Sequence, residues 1–99
     1  MFPLDSVHVG LLTIELMIPC SDSLKSKRRV IKSIKDRLAA RFNVSVAEIG
    51  FLEEWQRAAI GVVMVGNDRQ YLESCLNAAN RLVEEVADIH LLNVAFEWR

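Results

Sequence analysis

Between Lys25 and Arg41 stand eight basic residues, Lys25, Lys27, Arg28, Arg29, Lys32, Lys35, Arg37 and Arg41, against a single acid, Asp36. Cations gathered on one segment hold anions, and Ser21-Asp22-Ser23 just before them supplies hydroxyls and helix-capping side chains. At about 100° per residue along a helix, Lys25, Arg28, Arg29, Lys32 and Lys35 fall along one flank. Arg37 and Arg41 near the far end suit the helix dipole. Lys25, Lys27 and Arg28 in the first turn oppose it, each at a cost of about 0.3–1 kcal/mol. A bound phosphate would resolve the conflict, since free first-turn N–H groups and cations together suit that ligand. Ser21, Ser23, Lys25, Lys27, Arg28, Arg29 and Lys32 are therefore the candidate anion- or RNA-binding set. The competing reading is an exposed helix face whose charges are merely solvated.

A second constellation is Trp55-Gln56-Arg57, an aromatic, an amide and a cation that the expected sheet brings near Glu15. Glu15, Trp55 and Arg57 are candidate contacts for a ligand or partner. Trp55 could equally cover the sheet edge or pack in a dimer contact. Glu48, among Val44, Val46 and Ile49, reads as a buried acid or as a partner for Arg57. With no second acid, histidine or nucleophile placed beside it, an ion pair is favoured over catalysis.

The remaining reactive residues form no site. His8 and His90 share no nucleophile motif with a serine or cysteine, and no glycine-rich phosphate loop is present. Two cysteines and two separated histidines give no metal-ligand spacing, and Cys20 and Cys75 are expected to be free thiols. An acylphosphatase-like reaction would want arginine and glycine in Pro19 to Ser23, which has neither. We expect no catalytic residue, no cofactor and no metal, hence no enzyme.

The elements that must position these groups follow from periodicity. Val7 to Ile18 alternates as a strand, with Leu12, Ile14, Leu16 and Ile18 on one face, and Pro19 ends it. A helix runs from about Leu24 to Phe42 on a stripe of Leu24, Ile31, Ile34, Leu38 and Phe42. Val44 to Ile49 is a short strand and Trp55 to Val65 a longer one, with Ile60, Val62 and Met64 on one face. Gly66-Asn67 breaks the chain. Asn67, with Gln70 three residues on, predicts a capped second helix on the stripe Leu72, Cys75, Leu76, Ala79, Leu82, Val83 and Val86. Ile89 to Trp98 closes the sheet, with Leu92, Val94, Phe96 and Trp98 on one face.

The order β-α-β-β-α-β over 99 residues predicts a single α+β domain of the ferredoxin-like kind, spanning 1–99. Right-handed crossovers put both helices on one face of a four-stranded antiparallel sheet. The other face, carrying Val9, Leu11, Thr13 and Glu15 with Trp55, Arg57, Ala59 and Gly61, is left open, and a homodimer would cover it. Net charge is −1, which argues against a general polyanion binder. The charge is polarised, however: residues 1–49 hold eight basic and five acidic groups, residues 50–99 four and eight. The apolar run from Val7 to Pro19 is too short for a membrane helix. Asp5 stands where the basic region of a secretory leader would be. Cytoplasmic residence, away from any membrane, is the expectation.

Three motifs in order, Ser23-Leu24-Lys25-Ser26-Lys27-Arg28, Arg41-Phe42-Asn43-Val44-Ser45-Val46-Ala47-Glu48 and Trp55-Gln56-Arg57-Ala58, resemble the YlxP-like family of small bacterial proteins of unknown function. The resemblance covers nearly the whole chain and is weakest at Gly50 to Glu54. It implies a ferredoxin-like fold and brings no catalytic residues. Family members are often encoded beside transcription and translation factors, including a ribosome-binding factor, which implies a setting near ribosome maturation or translation. The expected function is thus a non-enzymatic RNA- or ribosome-associated protein. The alternative is a homodimeric regulatory or small-ligand-binding domain that uses the open sheet face.

Overall fold

The structure is a computed structural model that describes residues 6–99; Asp5, read above against a leader sequence, lies outside them. Six elements follow in the expected order: β1 (His8–Met17), α1 (Leu24–Arg41), β2 (Ser45–Gly50), β3 (Arg57–Gly66), α2 (Arg69–Glu84) and β4 (His90–Trp98). The strands form one antiparallel sheet in the order β2-β3-β1-β4. Each helix links two strands that are not neighbours, so each crosses the sheet on its way. Both lie on the face that carries Leu12, Ile14, Leu16, Ile60 and Val62, all with no exposed surface. The α1 stripe of Ile31, Ile34 and Leu38 and the α2 stripe of Leu72, Leu76, Ala79 and Val83 close the core over them. Fully burying one such Leu, Ile or Val side chain is worth about 1.5–3 kcal/mol. This is an α+β ferredoxin-like sandwich, as the periodicity predicts.

Local chemistry sets the boundaries. Ser23 is extended (φ −165°) and its hydroxyl accepts the Ser26 N–H at 2.9 Å, which starts α1. For α2 the capping residue is Asp68, whose carboxylate accepts the Tyr71 N–H at 3.3 Å, and not Asn67. A carboxylate at that position gains from the dipole as well as from the hydrogen bond. In β4 the pairing slips one residue between Glu15 and Leu16, so that Leu91, not Leu92, lies opposite Leu16. This bulge breaks the expected shared face. Val94, Phe96 and Trp98 pair with Ile14, Leu12 and Gly10 and so keep the helix side, though Val94 and Phe96 stay exposed at the sheet's edge, while Leu92 falls in the slip without a paired partner. Gly10 is a close-approach position, because a Cβ there would lie 2.6 Å from Leu76 Cδ1 and 2.8 Å from Trp98 Cζ3.

Candidate anion-binding flank and the loop beside it

The helix register that buries Ile31, Ile34 and Leu38 also decides which cations face water. Lys27 stands one turn before Ile31 on the same stripe, and its side chain is wholly buried. Its ammonium donates to three backbone carbonyls, those of Phe51 (2.8 Å), Leu52 (3.3 Å) and Arg57 (3.3 Å). An ammonium has three protons, and these three acceptors take them. Glu48 Oε2 lies 2.8 Å from the same ammonium and pairs with it as an ion, with no further donor to that oxygen among the described residues. Lys27 is thus removed from the anion-binding set, and the partner of Glu48 is Lys27 rather than Arg57. Desolvation explains the arrangement: a lysine inside a core is tolerated only when its charge is paired and its protons are satisfied.

One of the two serines is engaged too. Ser21 is buried and its hydroxyl donates to the Ser23 carbonyl at 3.2 Å, so it offers nothing to a ligand. Ser23 Oγ accepts the Ser26 N–H as the cap, while its own O–H, the group an anion would use, has no acceptor among the described residues. Lys25, Arg28, Arg29 and Lys32 remain exposed, and Lys35 joins them. Of these only Lys32 has an ion-pair partner among the described residues, Asp36 at 2.8 Å, which holds its ammonium above the usual lysine range. That pair runs from lysine to acid toward the C-terminus, the weaker orientation on a helix, and both side chains are exposed. Between α1 and the edge strand β2 lies a groove of about 340 Å³ lined by Arg28, Ile31, Lys32, Lys35, Asp36 and Glu48. The first turn of α1 contains no acid.

Lys27 also shapes the segment 51–56. Phe51 adopts φ 57°, a left-handed conformation that a bulky side chain rarely takes, and the Lys27 ammonium grips its carbonyl. The Arg57 guanidinium lies 4.0 Å above the Phe51 ring. Gln56 Nε2 donates to the carbonyls of Pro19 (3.1 Å) and Ser21 (3.2 Å), and the Gln56 carbonyl accepts from Ile18 N–H at 2.8 Å. The loop is therefore bound to the connection between β1 and α1 through Gln56 and to the first turn of α1 through Lys27.

Of the second constellation, Glu15 and Arg57 come together and Trp55 does not. Arg57 Nη2 and Nε both approach Glu15 Oε2, at 2.6 and 2.8 Å, and Asn93 Nδ2 donates to Oε1 at 2.8 Å. Asn93 first, then Arg57, hold the Glu15 carboxyl below the usual carboxylate range against the opposing effect of desolvation. Both partners on Glu15 satisfy it, which makes a closed polar cluster on the open face. Trp55 precedes β3 instead of opening it and lies in the connecting turn, 54% exposed. Beside it is a concavity of about 420 Å³ lined by Met17, Glu54, Trp55, Gln56 and Arg57. Asn93, 78 residues from Glu15, could be found only from strand register.

Cys20 and Cys75 are free thiols. No helix among the described residues is long and apolar enough to cross a membrane.

A ferredoxin-like sheet with a cationic outer helix flank defines a small α+β domain. Residues 9–96 match the family described as "Protein of unknown function (DUF503)", and the chain belongs to that family. It is 33% identical over 90 residues to the "Uncharacterized protein YlxP" of Bacillus subtilis (strain 168), a match covering 91% of this chain and 98% of that relative.

Proposed function

We propose that the outer flank of α1 is a phosphate-binding surface for RNA and that the protein works as a non-enzymatic RNA- or ribosome-associated factor. The observation that carries this reading is that Lys25, Arg28, Arg29, Lys32 and Lys35 all project from α1 into solvent, and among the described residues Lys32 alone of the five is ion-paired. Burial of Lys27 narrows the surface without dispersing it. Charges on successive turns of one helix match a ligand whose charges also repeat, and an RNA backbone is such a ligand. The acids of the second half of the chain keep the net charge near zero and confine the attraction to this flank.

A titration with single-stranded RNA across salt tests it. Affinity should fall with log salt at about −0.7 per phosphate neutralised. Arg28→Glu with Lys35→Glu should weaken binding by roughly tenfold or more. Binding insensitive to salt, or unchanged in that double variant, would sink the reading. Lys27 is unsuitable for the test, because its loss unpicks the core.

One observation favours a second reading, a homodimer through the open sheet face. Ile49, Val63 and Val65 are 53, 36 and 63% exposed there, beside the small residues Ala47, Ala59 and Gly61. An apolar sheet face of that kind is covered most simply by its own copy.

A further inference from the structure

The groove between α1 and β2 differs from the rest of the cationic flank, because a carboxylate stands in its wall. Arg28, Lys32 and Lys35 recur at helical spacing along the α1 side with Ile31 between them, and Glu48 forms the β2 side. Glu48 pairs across the sheet with Ile60, whose side chain lies in the core. That register turns Glu48 to the helix side, toward α1. There Lys27 holds it: Oε2 lies 2.8 Å from the buried ammonium and is closed to water, while 17% of the side chain stays exposed. Oε1 is therefore the carboxylate oxygen left on the groove side. Asp36, the other acid of the groove, is taken up by Lys32.

A groove that served phosphate alone would gain from having no acid. Glu48 cannot turn away, because its charge is half of an ion pair with a buried lysine. An anion that enters thus meets a fixed carboxylate oxygen beside three cations. A ligand that carries a hydroxyl donor next to its phosphate satisfies both. In a nucleic acid that donor is the ribose 2′-hydroxyl, which DNA lacks. The cavity of about 340 Å³ is at the small end of ligand sites and suits a single sugar–phosphate unit.

We propose that Glu48 accepts the 2′-hydroxyl of a nucleotide whose phosphate Arg28 and Lys35 hold, so that the groove selects RNA over DNA. This deepens the phosphate reading above and rests on it. Lys27 is the positioning residue, since it fixes Oε2 and so aims Oε1.

The test titrates the full chain, at one salt concentration, with single strands of about a dozen uridylates in ribose, 2′-deoxy and 2′-O-methyl forms. The bases and charges are the same in all three, and the methylated strand keeps the 2′ oxygen but has no proton to donate. The ribose strand should bind roughly tenfold or more tighter than either of the others, the worth of one hydrogen bond to a charged group. In Glu48→Ala that preference should vanish, with weaker ribose binding and no loss for the other two strands. Glu48→Gln provides for the case in which the alanine variant does not fold. The Lys27 ammonium has only protons to offer, so it faces the amide oxygen and leaves the amide N–H groups to the groove. The preference for ribose over 2′-O-methyl should then shrink as well. Equal affinities for the three strands in the unaltered protein would overturn the proposal while leaving the phosphate reading standing. A preference of undiminished size in either folded variant would overturn it too, because some other group would then be reading the sugar. Failure of the phosphate reading looks different: none of the strands would bind, or Arg28→Glu with Lys35→Glu would leave all three affinities unchanged. The proposal for Glu48 would fall with it.

Discussion

A single lysine decides much of the site. Lys27 spends its charge inside the protein, where its ammonium closes three carbonyls and faces one carboxylate. Removing one member of a buried pair costs about 3–5 kcal/mol. Lys27→Met should therefore lower the urea-unfolding free energy by about that amount. Glu48→Gln should cost less, because Lys27 keeps its three carbonyls and Glu48 retains some contact with water. Equal losses from the two substitutions would show that the carbonyl contacts contribute nothing. Glu15 gives a pH prediction. Its folded carboxyl is held below the ordinary 4.5, so its contribution to stability is present above the unfolded value and is lost as pH falls through the lower, folded one. Asn93→Ala should raise the Glu15 titration midpoint observed by NMR, and an unmoved midpoint would assign the effect to Arg57 alone. The place of Lys27 was legible in the sequence. Positions 27, 31, 34 and 38 make an unbroken core stripe, whereas Leu24 to Ile31 leaves a whole turn empty. Counting every cation as surface, because lysine is seldom buried, hid the one that fills the gap.

At the level of elements, helix and strand identities follow from hydrophobic period, and the misplacements lie where a neighbouring strand or loop decides. The slip that leaves Leu92 unpaired depends on how β4 meets Glu15 and Leu16, which no local pattern encodes. Trp55 has the residue type of a strand, but the hold of Lys27 and Gln56 on segment 51–57 keeps it in a turn. The capping of α1 is local and was readable from Ser23 onward. Ser23→Ala should cost about 1 kcal/mol in the same urea experiment. Gly10 marks a close approach of β1, β4 and α2. Gly10→Ala should cost about 1–3 kcal/mol by forcing Leu76 and Trp98 apart, and a Trp98 emission spectrum unchanged in that variant would contradict the contact.

Across the whole molecule the sheet separates two surfaces with different chemistry, a cationic helix flank and an apolar strand face. The two could serve at once, since a two-fold contact through the strand faces would leave both copies of α1 pointing outward. If the second reading holds, sedimentation equilibrium should give twice the protomer mass, and Val63→Lys should return it to one without weakening RNA. A concentration-independent monomer would remove that reading and leave α1 untouched. Because one side chain from α1 fastens Glu48 at the end of β2, the turn after it and the first residue of β3, that hairpin cannot open by itself. The Glu54 amide, which donates to the Phe51 carbonyl at 3.0 Å, should therefore exchange with deuterium at a rate set by the opening of the Lys27 contacts, and Lys27→Met should speed it.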